Sequence, residues 1–310
     1  MATAYVLYNL KAGNNTNIED INILEVVLHD DVKLIDISRI SDYRVFLTGL
    51  EPYDSIVLCG GDGTLNRFIN DTDGIEFDNE ILYYPLGTGN DFANDLGHMR
   101  GCNPFEITEY IKNLPTVTVK GKTYRFLNGI GYGIDGYCCE VGDELKKISD
   151  KPVNYTSIAI KGLLFHYKPT NAKITVDGKT KTYEKVWLAP TMNGRHYGGG
   201  MIPTPDQKRN NEDKTVSLMV LYGSGKLKTL CVFPSIFKGE HVKHTEMVDI
   251  FSGHEITVEF DRPVALQIDG ETILGVTEYT VSSAVKSKLN KKRAVSARQR
   301  KVVNDGKFQQ

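Results

Sequence analysis

The sequence predicts a doubly wound parallel α/β domain over residues 1–118 and an antiparallel β-sandwich domain over residues 119–285, with a basic tail over 286–310. Three observations predict this. The first hundred residues alternate apolar strand runs with helical patterns, the rhythm of a parallel sheet covered on both faces. Beyond about residue 115 the period shortens to two, with Lys-Gly and Asp-Gly pairs at the corners, as in antiparallel hairpins. The chain also has 310 residues, enough for about two cores.

In the first domain "TAYVLYN" reads as a strand. "NIEDINILEVVLH" sets Ile18, Ile21, Leu24, Val27 and Leu28 on one helical face, with Asn15 or Thr16 as the cap. "VKLIDI" is a second strand and "DYRVFLTGL" a short helix. "DSIVLCG" is apolar on both faces and reads as central. "LNRFIND" opens a helix, "EILYYPL" is a fourth strand and "DFANDLG" begins another helix. In the second domain "TVTVKGKTYRFLNGI" and "AKITVDGKTKTYEKVWLA" are hairpins, the latter turning at Asp177-Gly178. "TVSLMVLYG", "HEITVEF", "RPVALQIDGE" and "VTEYTV" add strands. Helices are expected at about 142–166 and in "KLKTLCVFPSIFKG".

The composition, 40% hydrophobic and 25% charged, is that of a soluble globular chain. No run of about 18 apolar residues is present, which excludes a membrane-spanning helix. "MATAYVLYNL" has no basic region and no cleavage site, so no signal peptide is expected. Cys59, Cys102, Cys138, Cys139 and Cys231 form no paired framework and read as free thiols in a reducing cytosol. The net charge of −2 hides an asymmetry. Residues 286–310 hold nine Lys/Arg and one acid, which leaves 28 basic and 38 acidic residues in the first 285. The tail reads first as a solvated terminus and second as a tether to anionic lipid. Nucleic acid is not expected, because the acidic body repels phosphate.

The chemistry concentrates in loops. Gly60-Gly61-Asp62-Gly63-Thr64 joins a buried strand to a helix, where open α/β sheets bind anions. One βα unit later "PLGTGNDFAND" places Thr88, Asn90 and Asp91 at the same edge, with Asn90 or Asp91 alternatively a helix cap. "YNLKAGNN" offers Asn9, Lys11 and Gly13, Lys11 as a phosphate counter-charge. No "GxxxxGK[ST]" loop occurs, so a P-loop is excluded. Gly131, Gly133 and Gly136 spell a dinucleotide fingerprint in the wrong context and read as a structural turn. His241 and His244 read as surface residues and Trp187 as core. Asp269-Gly270-Glu271 reads, on spacing alone, as a hairpin corner.

"GGDGTLN", "PLGTGNDFA", "NGIGYGIDG" and a late "IDGE", in that order over about residues 1–283, resemble the diacylglycerol kinase catalytic family, to which sphingosine and ceramide kinases are related. The first motif alone is shared with NAD kinases and resembles a phosphofructokinase loop. The resemblance implies an NAD kinase-like nucleotide-binding domain, a β-sandwich, and an active site between them. It implies ATP and Mg²⁺ as cofactors and γ-phosphoryl transfer to a lipid hydroxyl, diacylglycerol first. Gly60, Gly61, Asp62, Gly63, Thr64, Leu65 and Asn66 would hold the phosphates, with Thr88 in the nucleotide site and Glu271 as catalytic base. Asn9, Lys11 and Gly13 match the family's first loop, with Leu10 where proline is usual. "TPDQKRNNEDKTVSL" departs from the family's pattern. Asp213 remains as a candidate metal ligand, but Lys214 stands where glycine is expected. Under this reading Asp62 holds the metal or a metal-bound water. Glu271 takes the acceptor's proton. "SIAIKGLLFHY" offers an apolar groove. The expected setting is the cytoplasm, at the inner face of the membrane, with a homodimer suggested by related enzymes. The rival readings are a soluble NAD kinase-like enzyme and a non-catalytic nucleotide-binding protein.

Overall fold

The computed structural model describes residues 2–9, 18–28, 31–149 and 153–284. The first sheet is built from β1 (Thr3–Tyr8), β2 (Asp31–Asp36), β3 (Ser55–Gly60), β4 (Glu80–Pro85) and β5 (Phe105–Glu106), in the order β2-β1-β3-β4-β5. The first four run parallel, and β5 closes the edge antiparallel. All six residues of the central β3 are buried. Strand alternation splits its side chains between two cores. Ile56 and Leu58 pack with Leu65 and Phe68, while Val57 and Cys59 pack with Ile21 and Leu24.

The helices of this domain are α1 (Ile18–Asn22), α2 (Leu24–Val27), α3 (Tyr43–Thr48), α4 (Asp62–Asp71), α5 (Asp91–Asp95) and α6 (Thr108–Lys112). The single helix expected first is broken at Ile23. The stretch is rich in β-branched residues (Ile21, Ile23, Val26, Val27), which weakens a helix. Ile21 and Leu24 are buried all the same. The caps expected at Asn15 or Thr16 lie outside the described residues. α3 starts cleanly because Asp42 accepts the N–H groups of Arg44 and Val45.

The second domain is one ten-stranded antiparallel sheet folded on itself. Its strands are β6 (Thr116–Val119), β7 (Lys122–Arg125), β8 (Gly129–Tyr132), β9 (Thr170–Val176), β10 (Lys179–Val186), β11 (Thr191–Met192), β12 (Val216–Leu221), β13 (Val248–Gly253), β14 (Glu255–Ile268) and β15 (Glu271–Ser282). The expected domain limit at residue 118 thus falls inside β6. β14 makes the fold: its first half pairs with β9, its second half with β8, and β15 follows both. Register breaks between Glu259 and Leu266 bend it. Pro263 sits in that break, where no ladder donor is needed. "HEITVEF" and "RPVALQIDGE" are therefore one strand, where the sequence reading had two. Tyr132 stacks on Phe260 with ring centroids 3.9 Å apart inside the sandwich. Three hairpin corners, Lys120-Gly121, Asp177-Gly178 and Asp269-Gly270, have positive φ at both residues. That is the demand of the two-residue turn that matches strand twist.

Three helices cover one end of this domain: α7 (Ile134–Ile148), α8 (Tyr155–Lys161) and α9 (Lys226–Val232), followed by a 3-10 turn at Phe233–Lys238. The helix expected from about residue 142 begins at Ile134, directly after Gly133 at φ 105. A Cβ on Gly136 would stand 1.9 Å from the Ala265 carbonyl oxygen. The glycine spelling at 131–136 therefore serves close packing of α7 on β14, which is the structural turn the sequence suggested. Trp187 is core, donating its indole N–H to the Ser224 carbonyl. His241 corrects the sequence reading: it is fully buried, with Nε2 2.8 Å from the Pro203 carbonyl oxygen. The single spacing to His244 gave no sign of that.

Candidate active site

The loops after β3 and β4 are joined backbone to backbone. The Gly60 carbonyl accepts the N–H of Leu86 (2.8 Å) and of Gly87 (3.2 Å), and the Tyr83 hydroxyl (2.9 Å). A Cβ on Gly87 would stand 2.5 Å from Gly61 Cα, and one on Gly60 would stand 2.3 Å from Thr64 Oγ1. Gly61 and Gly87 are required by the contact between the two loops, and Gly60 by the close approach of Thr64.

That contact explains the carboxylate among them. Asp62 opens α4, and its side chain crosses to the neighbouring loop. Oδ2 accepts the Asp91 N–H (2.8 Å) and Oδ1 the Phe92 N–H (2.9 Å). Asp62 thus caps α5 from outside, where a negative charge meets the helix N-terminus. Asn90 occupies the N-cap position in the left-handed region (φ 48) but makes no capping bond. Its Nδ2 donates to the Gly87 carbonyl instead (2.6 Å).

The second domain meets this corner through Asn128. Its Nδ2 donates to Asp62 Oδ1 (3.0 Å), while its Oδ1 accepts from Arg209 (2.5 Å). A carboxylate only accepts and a guanidinium only donates, so the amide has one possible orientation. Asp269, at the Asp-Gly corner, takes the N–H groups of Leu127 (2.5 Å), Asn128 (2.7 Å) and Gly129 (2.9 Å), and Asn66 Nδ2 (2.9 Å). Burial pushes its carboxyl upward, against those four donors. The corner is therefore both a hairpin turn and a tie between the domains. It presents Glu271, exposed, at the start of β15 opposite Ile268.

A cleft of about 970 Å³ lies between the domains. One part is polar and glycine-rich, lined by Asn9, Gly61, Asp62, Gly63, Thr64 and Asn66 from the first domain. Thr88, Asn90 and Asp91 line it too, and Asn128, Asp269 and Glu271 come from the second. Arg67 and Lys146 bring positive charge to it. The other part is apolar, with Ile134, Ala159, Leu188, Met201, Phe233 and Phe237. Thr64 Oγ1 and Asn90 Oδ1 are buried beside the cleft with no hydrogen-bond partner.

Two buried acids in the cleft hold their protons unusually well. Burial, then the like charge of Asp62, pushes the Asp91 carboxyl up to about 6, although the N–H groups of Gly199 (2.9 Å) and Gly200 (2.8 Å) bind it. Burial pushes Asp135 up to about 6, with Gln267 Nε2 donating to it at 2.9 Å. Asp95, on the last turn of α5, is the opposite case. Burial opposes its charge, but His196, Arg209 and Arg195 outweigh that and hold its carboxyl well below the usual range.

Not every expected residue reaches the cleft. Gly60 lies beneath it, engaged through its carbonyl. Leu65 is fully buried among Leu58 and Phe68, and its N–H stays within the helix by bonding the Gly61 carbonyl (3.3 Å). Lys11 and Gly13 lie outside the described residues. Asp213 is exposed on the loop before β12, its carbonyl accepting from His254 Nε2 (2.9 Å), and does not line the cleft. Of "SIAIKGLLFHY", Ala159 lines the cleft, while Ile158 and Leu163 are core. The sequence reading missed Asn128 and Asp135, although both lie in "NGIGYGIDG", one of the motifs that carry the family resemblance. It also missed Asp95 and Arg209, for which no local signal exists.

Of the two expected metal ligands, Asp62 has both carboxylate oxygens bound by N–H donors, and Asp213 does not line the cleft. Among the described residues no group of three or more His, Cys, Asp and Glu side chains is arranged to hold a metal ion.

The sequence matches the diacylglycerol kinase catalytic domain over residues 3–120. Residues 128–286 match the YegS C-terminal NAD kinase beta sandwich-like domain. The chain belongs to the diacylglycerol kinase catalytic family. The two matches are separated by residues 121–127, which contain β7, and together they cover both walls of the cleft. Similar proteins include the candidate lipid kinase YtlR of Bacillus subtilis, 24% identical over 276 residues, which covers 83% of each chain. A diacylglycerol kinase of Mycobacterium tuberculosis is 25% identical over 227 residues, covering 70% of each chain. A crystal structure of a diacylglycerol kinase from Bacillus anthracis has the same fold, with a TM-score of 0.60 and 22% identity. It covers 91% of this chain and 94% of the other.

Proposed function

We propose that this kinase transfers the γ-phosphoryl group of ATP to a hydroxyl of a membrane lipid, with diacylglycerol as the first acceptor to test. The observation that carries the reading is the two-part cleft: a polar, glycine-lined part and an apolar part, with Glu271 on the same wall system. ATP phosphates suit the polar part. α4 begins there, the N–H groups of Asp62 and Gly63 precede its first carbonyl bond, which Thr64 makes to Gly61, and the Thr64 Oγ1 hydroxyl has no partner. Arg67 and Lys146 add positive charge. Acyl chains suit the apolar part.

In this reading Asp62 acts through positioning. It locks the first turn of α5 and so fixes the loop that carries Thr88 and Asn90. Glu271 is exposed to the cleft and accepts the proton that the acceptor hydroxyl loses as the new P–O bond forms. The leaving ADP keeps the electron pair of the broken P–O bond. The test is transfer of label from ATP, with magnesium chloride present, to lipids in mixed micelles, with NAD as a soluble control acceptor. Labelled lipid from the wild type and a loss of roughly 10²–10⁴-fold in Glu271→Ala is the expected result. Label on NAD and on no lipid overturns the lipid reading.

A further inference from the structure

The helical elements that give the cleft part of its apolar lining have an unusual outer surface. Fourteen large hydrophobic side chains are exposed among the described residues, and seven of them lie within residues 145–165 and 227–237. Ile160 is 41% exposed, Phe165 72%, Leu227 75% and Phe237 39%. Single exposed apolar side chains are ordinary, but a cluster on adjoining elements marks a contact surface. The elements do adjoin. The turn Gly162–His166 follows α8 and packs on α9, and Lys226 Nζ donates to the Leu164 carbonyl (3.0 Å).

Charge points to what this surface meets. Residues 153–168 contain Lys161 and Lys168 and no Asp or Glu; residues 225–239 contain Lys226, Lys228 and Lys238 and again no acid. All five lysines are exposed, although Lys228 pairs with Glu246 (2.7 Å). On a body with ten more acids than bases over its first 285 residues, this is a local basic rim around apolar tips. Long lysine stems lie along apolar material while their heads stay in water. The same elements give Tyr155, Ala159, Phe233 and Phe237 to the cleft wall. An acceptor lipid could therefore leave a bilayer and reach the cleft without crossing water.

We infer that this face, formed by α8, the turn after it, α9 and the 3-10 turn at Phe233–Lys238, docks on an anionic lipid bilayer. Phe165 and Leu227 enter the acyl boundary and Lys161, Lys168 and Lys238 meet the head groups. Interfacial segments of this composition bind by apolar insertion plus attraction to anionic lipid. Each lysine near such a surface contributes about fivefold in affinity, the equivalent of about 1 kcal/mol. The inference rests on the lipid-kinase reading for its purpose, but its test uses neither ATP nor turnover.

The basic tail at 286–310 could hold the full chain on anionic vesicles by itself, so the readout has to be local. Trp187 is the single tryptophan of the chain and is 2% exposed, which leaves the fluorescence background fixed. Phe165→Trp and Leu227→Trp in the full chain report from the face, and Val45→Trp, on the exposed side of α3, is the control. With phosphatidylcholine vesicles containing phosphatidylglycerol, the first two variants should shift to the blue and be quenched by brominated acyl chains, and the third should not. Lys161→Ala combined with Lys238→Ala should raise the lipid concentration needed for the shift by roughly 25-fold. Vesicle sedimentation without a shift at 165 and 227 would assign the binding to the tail and overturn the inference. So would absence of any vesicle binding. A blue shift that grows with protein concentration and no vesicles would make this face a contact between two copies, which also overturns it. Failure of the lipid-kinase reading shows instead as insertion without labelled product.

Discussion

Asp91 and Asp95 sit one turn apart on α5, are both buried, and reach opposite charge states. Asp95 is 4% exposed and meets Arg195, Arg209 and His196, so it stays ionised to low pH. Asp91 meets two glycine N–H groups and the like charge of Asp62, so its carboxyl holds a proton up to about pH 6. Burial is common to both; the partners differ. Apart from Asp62, the partners of both come from residues 195–209 of the second domain. One end of α5 is thus bolted by charge, and the other end, at the cleft, is held by backbone dipoles and left electrostatically poised. A single five-residue helix divides the work of holding the domains together from the work of facing a ligand.

The largest effect should come from breaking the bolt. Asp95→Ala strands Arg209, itself 4% exposed, as a buried cation. A loss of about 3–5 kcal/mol in chemical denaturation is expected. The same change should weaken the Asn128 contact to Asp62, because Arg209 holds the Asn128 amide. If stability drops by less than about 1 kcal/mol, the cluster is not a bolt.

The poised acids give effects of the opposite sign. A carboxyl whose folded pKa stands above its unfolded value costs stability as the pH rises from the unfolded value through the folded one. For Asp135 that window runs from 3.8 to about 6. Asp135→Asn keeps an oxygen for Gln267 but cannot ionise. It should be stabilising by roughly 2–3 kcal/mol at pH 7 and near neutral at pH 4, by the linkage between pKa and stability. A pH-independent effect would remove the electrostatic account.

Asp91→Asn should be weaker in net terms, because the amide leaves one of the Gly199 and Gly200 N–H groups without its acceptor. A destabilisation of about 1–2 kcal/mol at pH 4 should shrink towards zero at pH 7 as the avoided ionisation offsets it. Thermal melts at the two pH values read the crossing directly. The smallest stability change with a local consequence is Thr64→Val. Its hydroxyl has no partner, so stability should move by about 0.5 kcal/mol or less, while nucleotide affinity should fall measurably in a direct binding titration.

The sequence by itself determined the two-domain architecture, because hydrophobic period and turn chemistry are local properties. β3 reads as buried on both faces because Ile56, Val57, Leu58 and Cys59 are all apolar. The corners at Lys120-Gly121 and Asp177-Gly178 read as turns because glycine tolerates their φ. It also pointed to the loops at 60–66 and 87–91, since repeated glycines next to polar residues are costly unless something must approach closely. What approaches was decided only by tertiary structure. The opening carboxylate, Asp62, is a cap for a helix 29 residues away, and no spacing rule encodes that distance. The Asp95–Arg209 bolt spans 114 residues and joins two unremarkable surface-like residues that become buried only when the domains meet. Asp135 looked like part of a turn until Gly131 and Gly136 let α7 settle against β14 and carried it into the cleft. Charge states followed the same division. The sequence supplies the acids, but burial and partners, which exist only in the folded chain, decide which of them stay ionised.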